Sequence, residues 1–134
     1  MSPRSWKVRV LIEEATLEVA FLFANQDVKD EVQRILKLLS SQDDPRSPLA
    51  SSGLDVSELD ETPAWFRVKV PRYGIRVVFR VLIVRDNRLL NILRDKPLPE
   101  PQETDKNYIE VMQMGYRKDV YGKELRRRYW KYDR

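Results

Sequence analysis

The sequence predicts an α+β domain, and three observations predict it. "WKVRVLI" (6–12) alternates apolar and polar residues and is rich in β-branched side chains, as a strand is. Two helical stretches follow it. Beyond residue 64 the apolar residues recur at every second position through successive segments, and the chain closes on a basic tail with helical spacing.

Taken in order, "ATLEVAFLFANQ" (15–26) reads as a short, largely buried helix. Asp27 is placed to cap the next helix, on which Val28, Val32, Ile35, Leu36 and Leu39 share one stripe. Residues 41–63, rich in Ser, Asp and Pro, read as a long loop with a turn near "DVSELD". In "WFRVKVPRYGIRVVFR" (65–80), Phe66, Val68 and Val70 share one face of a strand. Past the turn at "PRYG", Ile75, Val77, Phe79, Val81 and Ile83 form a second apolar row. "NRLLNIL" (87–93) and "NYIEVMQM" (107–114) add strands, separated by a proline-rich, solvated insert at 94–107. A basic C-terminal helix is expected over about 118–132, weakened early by Gly122. The whole of 1–134 reads as a single domain.

Composition narrows the chemistry. The chain is 42% apolar and 34% charged, a globular balance. Its longest apolar run, "VAFLFA" (19–24), is too short to span a bilayer, and no secretory signal opens it, so a cytoplasmic location with no membrane partner is expected. With no Cys and no His, Ser–His–Asp and Cys–His nucleophiles and imidazole or thiolate metal sites are excluded. The four glycines are scattered, so no glycine-rich phosphate loop exists.

The net charge of +4 is unevenly spread. Residues 65–80 carry Arg67, Lys69, Arg72, Arg76 and Arg80 with no acid, and 117–134 carry eight bases against three acids. Residues 41–63 are strongly acidic. If the apolar rows of 66–70 and 75–83 pack on the two N-terminal helices, Arg67, Lys69, Arg76 and Arg80 are left on the uncovered face of the sheet. Such a face suits an anionic partner. Taken singly, each of these residues is also an ordinary solvated strand residue.

The ordered set "AWFRVKVPRYGIRVVFRV" and "YIEVMQMGYRKDVY" resembles the RelE/ParE toxin superfamily, whose members show an aromatic-basic strand, a glycine turn into arginine, and a last strand ending in Gly-X-Arg before a tyrosine. The resemblance implies a RelE-like α+β fold: an N-terminal strand and two helices packed on an antiparallel sheet, with a C-terminal helix. It further implies the toxin of a type II toxin–antitoxin pair, a ribosome-dependent messenger-RNA endonuclease with no metal or other cofactor. Its partners would be the ribosome, messenger RNA and an acidic, amphipathic antitoxin. Carried over residue by residue, the catalytic set is Arg67, Lys69, Arg76, Arg117 and Tyr121. Arg80, Arg126, Arg127 and Arg128 are further candidates for RNA backbone contact. A ParE-like gyrase inhibitor and a RelE-fold binding module without catalysis remain open alternatives. The chain departs from the family in its 94–107 insert, in Tyr116 where many members carry His, and in Arg67 where well-known nucleases carry Lys.

In that reading the ribose 2′-OH attacks the neighbouring phosphate and leaves a 2′,3′-cyclic phosphate. Clustered guanidiniums suit the extra negative charge of the transition state through forked hydrogen bonds. Lys69 among other cations would serve as a neutral base, Arg117 as a donor near the leaving oxygen, and Tyr121 as a stacking or orienting group.

Overall fold

The computed structural model describes residues 4–120 and 122–133. The chain forms a mixed six-stranded sheet with helices, an α+β fold. A short strand β1 (Lys7–Arg9) leads into α1 (Glu13–Phe23) and α2 (Gln26–Ser40). The first turn of α1 carries Glu13 and Glu14, favourable beside the helix dipole. Asn25 caps α2, its side-chain oxygen accepting from the backbone N–H groups of Asp27 and Val28. The cap therefore falls two residues before the Asp27 that the sequence suggested. The stripe Val28, Val32, Ile35, Leu36 and Leu39 is buried as expected.

The acidic stretch after α2 is not all loop. It contains β2 (Val56–Glu58), which pairs antiparallel with β3 (Phe66–Val70). Three residues are too few to show a period, and the strand forms because β3 offers it an edge. A 3-10 turn over Pro71–Tyr73, closed by Gly74 at φ 65°, reverses the chain into β4 (Ile75–Arg85). A left-handed φ is what glycine supplies without steric cost.

The long strand β4 organises the sheet. On one side it pairs β3 in its first half and β5 (Arg88–Asn91) in its second. On the other it pairs β6 (Lys106–Tyr116) along nearly its whole length. β1 lies parallel to β6, so the sheet is mixed rather than wholly antiparallel. Beyond β1, Glu18 of α1 accepts a hydrogen bond from the Met114 N–H at 3.2 Å. The insert is irregular and mostly exposed, but it is tied down. Arg46 donates to the carbonyls of Leu93 and Lys96, each at 2.6 Å, and Arg85 pairs with Asp105 at 2.8 Å.

The C-terminal segment is two helices, α3 (Arg117–Val120) and α4 (Lys123–Tyr132), separated at Gly122 with φ 96°. They change the prediction about the second face of the sheet. The first face packs on α2 and part of α1, burying Phe66, Val68, Val70, Ile75, Val77, Phe79, Val81 and Ile83. The other face carries its own core of Ala64, Trp65, Val78 and Met112, packed with Val120 and with Leu125 of α4. Trp65 meets Tyr129 edge to face at 5.2 Å. Apolar side chains on this face need burial, and α4 supplies it. The face expected to be uncovered is covered in part. No helix among the described residues is long and apolar enough to cross a membrane.

Candidate functional site

The candidate cations lie at the end of the second face nearest Gly74. In the β3–β4 register Lys69 stands opposite Arg76 and Arg67 opposite Val78. In the β4–β6 register Arg76 stands opposite Gly115 and Ile75 opposite Tyr116. The next rung is a single bond, from the Arg117 N–H to the Gly74 carbonyl at 2.9 Å. One corner thus collects Lys69, Arg76 and the start of α3 at Arg117. Gly115 belongs to the same corner for a packing reason: a Cβ there would lie 3.3 Å from a methyl of Val120. Its bare backbone lets α3 fold over the strand end.

The candidates differ in what already holds them. Arg67 donates from Nε to the Ser57 hydroxyl at 2.9 Å, and from its terminal nitrogen to the same oxygen. The Lys69 ammonium lies 3.3 Å from the Asp55 carboxylate, an exposed pair that an anion can displace at small cost. Arg76 is only 8% exposed, and its one side-chain bond runs to the carbonyl of Ile75 at 3.3 Å. Arg117 is exposed. Among the described residues, neither Arg76 nor Arg117 has a carboxylate partner. Tyr121 lies outside the described residues.

Arg117, Lys118, Tyr116 and Gly74 line a cleft of about 650 Å³ beside this corner. Lys118 is the cation that the sequence reading did not select, although the dibasic pair at 117–118 was visible. Arg72, exposed in the turn before Gly74, is a second.

The wider arginine set is engaged elsewhere. Arg80 is held by Glu110 at 2.6 Å and by Asp133 at 2.6 Å. Arg128, a sequence candidate for RNA backbone contact, is 3% exposed and so is closed to such a contact. It donates to Glu18 at 2.6 Å and to the Met112 carbonyl at 3.0 Å. Burial disfavours its charge, but Glu18 and Glu124 outweigh that and leave its pKa raised. Arg127 pairs with Glu124 at 2.8 Å, and Arg126 with Glu61 at 2.9 Å. Arg127 and then Arg128 hold the Glu124 carboxyl at about 2, below its ordinary value. These pairs fix α4 in place and engage its arginines, whereas Arg76 and Arg117 at the Gly74 corner have no carboxylate partner among the described residues.

Chemically, the corner offers fixed guanidinium donors and one ammonium. Of Arg67, Lys69, Arg76 and Arg117, only Lys69 has a proton it can readily give up. No family model, curated protein or solved structure matches the chain.

Proposed function

We propose that this chain is a RelE-like toxin of a type II toxin–antitoxin pair that cuts messenger RNA on the ribosome. The observation that supports the reading is the Gly74 corner. Lys69 and Arg76 face each other across β3 and β4, and Arg117 is tied by its backbone to the turn between those strands. In this reading Arg76 and Arg117 hold the scissile phosphate and its developing charge. Lys69 leaves Asp55, gives its own proton to solvent and, as the neutral amine, takes the 2′-OH proton as that oxygen bonds to phosphorus. The P–O5′ bond breaks, and the leaving 5′-oxygen takes a proton from water while the Arg117 guanidinium donates a hydrogen bond to it. Arg67 steadies the neighbouring phosphate, and Tyr121 stacks on or orients the nucleotide.

Mapping RNA ends after induced expression tests this. Cuts confined to translated frames, lost in Arg76→Ala, are the expected result. Full cutting by Arg76→Ala would remove the residue from the mechanism. Inhibited supercoiling without RNA cuts would move the protein to the gyrase-directed class.

A further inference from the structure

A second recess adjoins the Gly74 corner and shares a wall with it. By alternation Arg76 and Gly115 belong to the second face of the sheet, and Ile75 and Tyr116 to the first, where α1 packs. Tyr116 therefore stands between two spaces. On one side is the cleft of about 650 Å³ that it forms with Gly74, Arg117 and Lys118. On the other is a recess of about 270 Å³ against α1, walled by Leu17, Glu18, Phe21, Met114, Tyr116 and Asp119. The recess opens to solvent: Phe21 is 76% exposed, Leu17 64% and Tyr116 36%.

The apolar wall is short. Along α1 the outward row of Leu17 and Phe21 ends at Glu14 on one side and at Asn25, the cap of α2, on the other. Glu14 is engaged by Lys131 and Tyr132. A helix laid in a groove needs anchors over two turns or more, and Leu17 and Phe21 span only one. A flat ring against Phe21 and Tyr116 needs no more than that. The polar groups favour the same occupant. Glu18 is taken by the Met114 N–H and by Arg128. Asp119 is exposed and, like Arg117 and Lys118, forms no ion pair among the described residues. Unpaired cations beside an aromatic recess suit a nucleotide, with its phosphate at the cations and its base at the rings. A free carboxylate only accepts, so it selects a base edge that donates. Guanine alone carries two adjacent donors on its Watson–Crick edge, N1–H and N2–H, which match the two carboxylate oxygens.

We infer that the recess against α1 is a guanine subsite: the base stacks on Phe21 and Tyr116, Asp119 accepts from N1–H and N2–H, and Lys118 holds the attached phosphate. This rests on reading the Gly74 corner as a phosphate site, and it adds base selection on the far side of Tyr116. The strand crosses the end of the sheet there, from Lys69 and Arg76 on one face to α1 on the other. Only a single strand can present a Watson–Crick edge to Asp119, since in a duplex that edge is paired.

The test is binding, at low salt, of a short oligouridine with one central guanosine and of the same strand with inosine there, which keeps N1–H and lacks the N2 amine. The full chain should bind the guanosine strand roughly tenfold more tightly, the equivalent of one hydrogen bond. Asp119→Ala should erase that difference. Phe21→Ala should weaken binding of the guanosine strand roughly tenfold, the loss of one stacked base. Both side chains are exposed, so both variants should fold, which thermal unfolding checks. Equal binding of the two strands by the unaltered chain would overturn the inference, as would Asp119→Ala keeping the preference. Phe21→Ala binding like the unaltered chain would also overturn it and leave the recess to a protein partner. Equal binding would leave the phosphate reading of the corner standing, whereas binding of neither strand would remove both. The inosine strand needs no variant, so the inference is tested even if a variant does not fold.

Discussion

Lys69 and Arg76 stand directly opposite each other across β3 and β4, two cations in a cross-strand pair with the Asp55 carboxylate beside one of them. Like charges in that position destabilise a sheet. Their retention is understandable when an anion is the third member of the group.

Arg76→Met should therefore stabilise the fold. The change keeps the aliphatic stem, removes the like-charge contact and removes the unpartnered Nε, at the loss of one long bond to the Ile75 carbonyl. A gain of about 0.5–1 kcal/mol in a denaturant titration is expected. The same variant should lose RNA cleavage. A clear loss of stability would mean that Arg76 is held mainly for packing.

Glu18 and Arg128 make an asymmetric prediction. Glu18 serves two masters, the Met114 N–H at the edge of β6 and the buried Arg128 guanidinium. Removing it by Glu18→Ala leaves a buried cation with Glu124 as its one carboxylate beside the Met112 carbonyl, and should cost about 3 kcal/mol. Arg128→Met leaves apolar volume under α4 and a carboxylate that still has the Met114 N–H, so it should cost clearly less. Equal costs from thermal or denaturant unfolding would contradict this account of how α4 is anchored.

The fold should weaken in acid through α1 and α4. Glu14 is held at about 2, first by its hydrogen bond with the Tyr132 hydroxyl and also by Lys131, and Glu124 at about 2 by Arg127 and Arg128. Folded values below the ordinary 4.5 mean that stability from these groups is fully present above about pH 4.5 and fades as pH falls toward 2. Unfolding midpoints followed by tryptophan fluorescence should fall through that window. Glu14→Gln should flatten the fall, and added salt should shrink it. A midpoint constant from pH 5 to pH 2 would show that these pairs do not hold α4.

Much of the scaffold was legible in the sequence because it is written in local periods. The stripe from Val28 to Leu39 and the alternation on either side of "PRYG" each declare one buried face, and Gly74 marks the turn between strands. The second face was harder to read. Its core draws on Trp65, Val78, Met112 and Leu125 from four separate segments, and the first three sit directly beside first-face apolar residues, so no alternation of their own marks them. The fate of each arginine was hidden for the same reason. Arg128 and Glu18 are 110 positions apart, so no spacing rule links them, and Arg128 looks identical in sequence to its exposed neighbour Arg127. Within the candidate site, the basic residues were visible by their even spacing in the hairpin.

The central claim is that the Gly74 corner meets the RNA and the carboxylate-paired arginines do not. Cleavage of messenger RNA on translating ribosomes by Arg117→Ala and by Arg126→Ala, side by side, tests it most directly. Loss of a donor that serves the transition state should lower the rate about a hundredfold in Arg117→Ala. Arg126→Ala, which breaks only an exposed pair with Glu61, should cut at the wild-type rate. Unimpaired cleavage by Arg117→Ala, or loss of equal size in both, would contradict the account.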